Sequence, residues 1–232
     1  MWLDDAGPFL PLGASFFWAP WGWKYDRERT EANLAWLAGK VDYIRIFCEV
    51  GGDTWSDRTI DPRWSDYAEI MADLIDTAYD RYGVRIEPTI LAGGSGAPRE
   101  IAFMQLLDVM NGREQKVLHP EGANEDNYGD QATFLAMVRD AIRHSSVLWA
   151  VNSPEEAALE ETKSLMSATG AQVATGHFAR ALGDVDGGWR QVRQPWDWRD
   201  LPWAGSHNEP AGPGSSVAEQ RDPMVLAMMR AV

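Results

Sequence analysis

The chain has 232 residues with a formal net charge of −14, and 45% of its residues are hydrophobic. This length and apolar content suit one large core, so we expect a single domain over residues 1–232. The acidic balance argues against binding to nucleic acid or to an anionic membrane, since both need a basic protein surface. The sequence has no run of roughly 20 apolar residues and no basic segment followed by an apolar one, so neither a membrane span nor a signal peptide is predicted.

Short apolar runs alternate with amphipathic stretches along the chain. The apolar runs predict strands over residues 12–21, 41–50, 84–94, 116–125, 146–153, 171–180 and 201–210. The amphipathic stretches predict helices over residues 27–40, 65–83, 98–112, 130–145, 154–170 and 219–232. Such alternation is typical of a parallel sheet whose strands are joined by helical crossovers.

An open doubly wound sheet and a (β/α)₈ barrel both fit this alternation, and two features favour the barrel. The first strand–helix turn lacks the GxGxxG motif of nucleotide-binding sheets. Polar or special residues also recur at the carboxyl ends of the predicted strands, as a ring of active-site loops requires. They are Glu49, Gly93, Glu125, Asn152, His177 and Glu209. We therefore predict an α/β fold of the TIM-barrel type that is incomplete, because no eighth strand is visible.

Two Asn-Glu pairs provide the candidate catalytic carboxylates. Asn124-Glu125 ends the fourth predicted strand, and Asn208-Glu209 ends the seventh. The ends of barrel strands surround one mouth, so we expect the two carboxylates to face each other across a cleft. Retaining glycoside hydrolysis needs such a pair, with one carboxyl group protonated and the other ionised.

These residues and their placement resemble clan A of the glycoside hydrolases, the cellulase-like (β/α)₈ group, over nearly the whole chain. The matching segments are YIRIF at 43–47, EGANE at 121–125, TGHFAR at 175–180 and SHNEP at 206–210. The resemblance implies a retaining glycosidase that acts on a β-linked oligo- or polysaccharide by double displacement, with Glu125 as acid/base and Glu209 as nucleophile. It also implies that Arg45 lies beside the nucleophile, that Asn124 contacts the sugar 2-hydroxyl and that His177 lies near the catalytic pair.

The chain departs from the clan in several places. Many members of this clan have a histidine on strand three, a tyrosine two residues after the strand-six histidine and a tryptophan on strand eight. This sequence has no histidine in RIEPTIL at 85–91, it has Ala179 at the second position, and the eighth strand is not visible. These departures keep open a carbohydrate-binding or scaffolding barrel without catalysis, as part of a larger assembly such as a phage tail.

Further residues are candidates for contacts with a sugar. The chain has 12 tryptophans, and a tryptophan near a strand end can serve as a flat platform for a sugar ring or as core packing. The candidate platforms are Trp18, Trp21, Trp149 and Trp203. His207 and Asn208 would line the pocket, and Glu49 would bind a sugar hydroxyl or form a salt bridge in its loop.

Buried charges and a glycine-rich loop have structural interpretations as well. Arg45 could pair with a core carboxylate such as Glu87, because a charge inside a strand needs a partner. Glu121 is predicted to be a buried structural carboxylate near the barrel centre. The segment LAGGSGAP at 91–98 is expected to form a flexible loop at the mouth rather than a phosphate cradle.

The remaining predictions concern cofactors and partners. The four histidines show no metal-ligand spacing, so we expect no metal and no cofactor. A lyase or aldolase acting on small acids or phosphates stays as an alternative, although it needs a Schiff-base lysine or metal ligands and Lys116 is the only strand lysine. The expected partner is a carbohydrate. Seven strands leave two open sheet edges, so we also expect self-association or a longer parent polypeptide.

Overall fold

A computed structural model describes residues 2–4, 7–9, 11–52, 58–124, 130–152, 159–176 and 203–206. Its strands are β1 (Trp2–Asp4), β2 (Gly7–Phe9), β3 (Gly13–Ser15), β4 (Tyr43–Phe47), β5 (Arg85–Leu91), β6 (Glu121–Ala123), β7 (Ala150–Asn152), β8 (Val173–Thr175) and β9 (Ala204–Ser206). Its helices are α1 (Ala19–Tyr25), α2 (Arg27–Leu37), α3 (Tyr67–Tyr82), α4 (Arg99–Met110), α5 (Gln131–Arg143) and α6 (Leu159–Thr169).

Strands β3 to β9 form one parallel sheet in chain order, curled into a half-barrel with helices between the strands. This confirms the predicted α/β fold of an incomplete TIM-barrel type. Each of the seven predicted strands contains one strand of this sheet. The predicted helix over 219–232 lies outside the described residues, and none of the described helices is long and apolar enough to cross a membrane.

Two elements differ from the prediction. The apolar segment 12–21 is a strand only at Gly13–Ser15, and its second half begins helix α1, where a proline occupies the first turn. Proline suits that position because the first helical residues have no intrahelical acceptor for their N–H groups. Before the sheet, β1 and β2 form a small antiparallel hairpin that the sequence analysis did not predict.

The core lies between the sheet and its helices. All five residues of β4 are buried, and six of the seven in β5. Helix α3 buries Met71, Leu74, Ile75 and Ala78 on one face and ends at Gly83, whose φ of 68° is the left-handed conformation that glycine adopts without strain. Parallel pairing places Arg45 beside Glu87 and Thr89 beside Glu121, so charged residues of adjacent strands meet inside the half-barrel.

Candidate functional site

Arg45 is the centre of a charged network inside the half-barrel. It stands in the middle of β4 with 1% of its side chain exposed, and both carboxylates it contacts are fully buried. Its Nη2 donates to Glu121 Oε2 at 2.6 Å, and its Nε lies 3.7 Å from Glu87 Oε1. The predicted alternative, that Arg45 pairs with the core carboxylate Glu87, therefore describes a real contact.

Glu121 joins the strands of the interior. Its Oε2 accepts from Arg45 on β4 and from the Thr89 hydroxyl on β5 at 2.8 Å. Its Oε1 accepts from Asn152 Nδ2 on β7 at 3.2 Å and from the Thr175 hydroxyl on β8. A buried carboxylate is stable only with such partners. Glu121 is thus the buried carboxylate near the barrel centre that the sequence predicted.

Asn124 extends this hydrogen-bond network to the carboxyl end of β6, at the mouth of the half-barrel. It is half-buried directly after β6, and its backbone N–H donates to Leu91 O at 2.7 Å. The second N–H of Arg45 Nη2 donates to Asn124 Oδ1 at 2.9 Å. Because a guanidinium has donors only, the atom of Asn124 that faces it is the carbonyl oxygen. The side-chain amide is therefore held in one orientation.

His119 is a buried titratable residue that no pattern in the sequence indicates as part of a site. It precedes β6 and is fully buried. Burial, and to a smaller extent the charge of Arg45, lowers the pKa of His119 to about 4, although Glu121 acts in the opposite direction. His119 is therefore neutral at neutral pH. An isolated histidine in an apolar stretch gives no pattern by which a sequence could reveal this placement.

A cleft of about 570 Å³ opens at the carboxyl edge of the sheet, and one of its lining residues, Leu91, accepts from the backbone N–H of Asn124. The loops after β4 and β5 and the first turns of α4 and α5 surround it. Its lining residues are Glu49, Leu91, Gly93, Gly94, Gly96, Ala97, Pro98, Arg99, Glu100, Asp130 and Thr133. Among the residues that the structure describes, three carboxylates and one guanidinium thus line this cleft.

Two of these carboxylates also hold backbone in place. Glu49 accepts from the N–H groups of Gly93 and Ser95, both at 2.9 Å, so it fixes the glycine-rich loop, and it forms no salt bridge with another described residue. Asp130 is the N-cap of α5 and accepts from Thr133 N–H at 2.8 Å. That contact lowers the pKa of Asp130.

The four candidate tryptophans fall at opposite ends of the strands. Trp18 and Trp21 follow β3 toward the mouth, are half-buried, and have the Arg58 guanidinium 5.7 and 5.6 Å from their rings. Trp149 and Trp203 instead precede β7 and β9, at the amino edge of the sheet. Trp149 is fully buried and stacks on Phe103 at 6.2 Å, so it packs the core and is not a ligand platform.

The other predicted site residues lie outside the described residues. They are Glu125, His177, His207, Asn208 and Glu209. Within the described ranges, no cluster of histidine, cysteine and acidic side chains could hold a metal ion. Lys116, the one predicted strand lysine, lies in a 3₁₀ turn outside the barrel and bonds Asp76 at 2.8 Å and Asp80 at 2.7 Å on α3.

Comparison with known proteins corrects the predicted family. No protein-family model and no curated protein matches the chain. Among solved structures it is similar to 2,3-dimethylmalate lyase, a PEP mutase/isocitrate lyase superfamily member, with a TM-score of 0.49 and 10% identity over 90% of this chain and 72% of that chain. That protein is a lyase of a different (β/α)-barrel superfamily. The predicted membership of glycoside hydrolase clan A is wrong, as are the retaining glycosidase activity and the hydrolase class. The lyase activity belongs to that protein and is not transferred to this chain.

Proposed function

We propose that this chain binds a neutral polyhydroxylated ligand, of the carbohydrate class, in the cleft at the barrel mouth. The observation that carries the proposal is that three carboxylates, those of Glu49, Glu100 and Asp130, are among the described residues that line the cleft. Its volume lies within the range of about 300–1,000 Å³ that small-molecule pockets occupy. The proposal concerns binding and includes no chemical step.

The charge of the lining selects among ligand classes. In the described lining, Glu49, Glu100 and Asp130 supply three carboxylates against the one guanidinium of Arg99. Carboxylates accept hydrogen bonds from hydroxyl groups and repel phosphates and other carboxylates. The net charge of −14 adds to that repulsion over longer distances. A ligand rich in hydroxyl groups therefore fits this cleft better than a small acid or a phosphate ester.

Isothermal titration calorimetry with two ligand panels tests the proposal. One panel holds neutral mono- and oligosaccharides, and the other holds dicarboxylates and sugar phosphates of similar size. We expect heats of binding from members of the first panel only. Failure of every neutral saccharide to bind, or equal affinity for a dicarboxylate, would contradict the proposal.

Matched variants then locate the site. Glu100→Gln removes one carboxylate from the cleft wall, and Glu69→Gln makes the same change on an exposed position of α3. We expect Glu100→Gln to weaken saccharide binding by about 10- to 100-fold, the size of one hydrogen bond to a charged group, and Glu69→Gln to leave it unchanged. Equal effects of the two variants would place the ligand elsewhere.

A further inference from the structure

We infer that Glu121 is the positioning residue of the mouth, because it sets the orientation of Asn124 through Arg45. This inference rests on the proposed function for its ligand, but the positioning itself is measurable without one. Glu121 is fully buried, and neither it nor Asn124 lines the cleft. Asn124 adjoins the cleft through its backbone N–H, which donates to the carbonyl oxygen of the lining residue Leu91, so any effect of Glu121 on ligand binding must pass through other residues.

The geometry of Arg45 Nη2 provides the path. This nitrogen has two hydrogens, and it donates to Glu121 Oε2 at 2.6 Å and to Asn124 Oδ1 at 2.9 Å. Both donors lie in the plane of the guanidinium. Once Glu121 fixes the plane and rotation of that group, the direction of the second N–H is also fixed. Asn124 Oδ1 lies where that N–H points.

Glu121 is itself held from several sides, so it has little freedom to move. Thr89 donates to its Oε2 and also accepts from Arg45 Nε at 3.0 Å, which ties carboxylate and guanidinium together a second time. Asn152 and Thr175 hold the other oxygen. Glu87, in contrast, lies 3.7 Å from Arg45 Nε, on a different nitrogen from the one that bonds Asn124.

The side-chain amide of Asn124 gives a direct readout by NMR. Its Nδ2 cross-peaks in a ¹⁵N spectrum are assigned by their loss in Asn124→Ala. We expect Glu121→Gln to shift these peaks, because the amide of glutamine presents a donor as well as an acceptor to Arg45. Glu87→Gln removes a buried carboxylate of equal size from the same guanidinium, and we expect it to leave the peaks close to their original positions. Unshifted peaks in Glu121→Gln, or equal shifts in both variants, would overturn the inference.

A double-mutant cycle with a bound saccharide tests whether Glu121 acts through Asn124. We expect Glu121→Gln alone to weaken binding by about 10-fold, and to have no further effect in the Asn124→Ala background. Independent, multiplying effects would overturn the inference, because a general structural role does not depend on Asn124. If no saccharide binds the wild type, the proposed function fails while the NMR test still decides the positioning role.

Thr89→Val is the second variant, for the case that Glu121→Gln does not fold. It keeps every charge and nearly the same volume but removes the hydroxyl between Arg45 and Glu121. We expect a smaller shift of the Asn124 amide peaks in the same direction as for Glu121→Gln. An unchanged Asn124 amide in a folded Thr89→Val protein would count against the network as a positioning device.

Discussion

Arg45 balances the charge of the barrel interior, because its buried guanidinium faces the buried carboxylates of Glu87 and Glu121. Replacing it by leucine leaves both carboxylates without this partner in a place that water does not reach. We expect Arg45→Leu to lower the free energy of unfolding by about 3–5 kcal/mol, the usual cost of breaking a buried ion pair from one side. Urea denaturation followed by circular dichroism measures this change.

A surface arginine provides the control for that measurement. Arg81 pairs with Glu31 while 61% of its side chain is exposed. We expect Arg81→Leu to cost less than about 1 kcal/mol, since exposed ion pairs contribute little. A similar loss for both variants would show that the interior network is not the reason for the effect.

His119 makes stability depend on pH in a defined direction. Burial lowers the pKa of its imidazole from 6.5 to about 4. Between these values the unfolded chain binds a proton that the folded protein does not, so stability falls as the pH drops from 6.5 toward 4. The loss reaches about 3 kcal/mol at the acid end, at about 1.4 kcal/mol for each pH unit.

The contribution of His119 is measured as the difference between the wild type and His119→Leu in how the free energy of unfolding changes with pH. We expect His119→Leu to have a flatter profile than the wild type between pH 6.5 and 4. If the His119→Leu and wild-type profiles run parallel through this window, the histidine is not buried neutral.

At the scale of elements, the loop after β5 is shaped by close backbone contact with the loop after β4. Gly51 N–H donates to Gly93 O at 3.0 Å, and a Cβ added to Gly94 would lie 2.0 Å from Gly51 O. Gly94 also has a φ of 94°, which other residues rarely adopt. Gly96 has a φ of 73°, but a Cβ there would meet nothing within 4 Å.

Alanine at Gly96 would add only backbone strain, whereas alanine at Gly94 would add strain and a steric overlap with Gly51. We expect Gly96→Ala to cost about 1–2 kcal/mol for the left-handed conformation alone. Gly94→Ala should cost clearly more and should also weaken ligand binding, because the two loops must move apart beside the cleft. Thermal unfolding and calorimetry measure both effects. Equal losses in the two variants would contradict the close contact.

The helices and strands were predictable where the hydrophobic pattern of the segment fitted only one kind of element. The short apolar runs of β4 and β5 are fully buried on the sheet, and helix α3 has both an apolar face and a glycine at its end. Helix α1 was missed because the apolar run from Phe16 to Trp21 reads as a continuing strand, although Pro20 marked the helix start. Trp149 was misplaced because β7 begins one residue after it, which moves its ring to the other end of the strand.

The site was predictable in part, and the function was not. Arg45 was singled out because a charge inside a strand needs a partner, Glu121 as a buried structural carboxylate, and Asn124 as part of an Asn-Glu pair at a strand end. Arg45 does contact both of the others. The glycosidase prediction failed on a different ground. Any (β/α) barrel places polar residues at the carboxyl ends of its strands, so short Asn-Glu pairs at those positions follow from the fold and do not specify a reaction.

At the scale of the whole molecule, the described sheet has two edge strands, β3 and β9. In the part of the chain that the structure describes, β3 pairs only with β4, and β9 pairs only with β8. Phe16 N–H donates to Arg45 O and Leu12 O accepts from Asp42 N–H, so these residues of the β3 segment face β4. Alternation along the strand then directs the backbone groups of Ser15 away from β4. Exposed strand edges of this kind pair readily with other chains.

We therefore predict self-association through the β3 edge. Sedimentation velocity should show a reversible dimer whose population rises with protein concentration. Ser15→Pro removes an outward N–H that makes no bond to β4, and proline is tolerated on an edge strand, so this variant should be monomeric and still folded. Ser15→Ala keeps the N–H and should associate like the wild type. A wild-type protein that stays monomeric over the full concentration range would contradict the prediction, as would a Ser15→Pro protein that still forms the dimer.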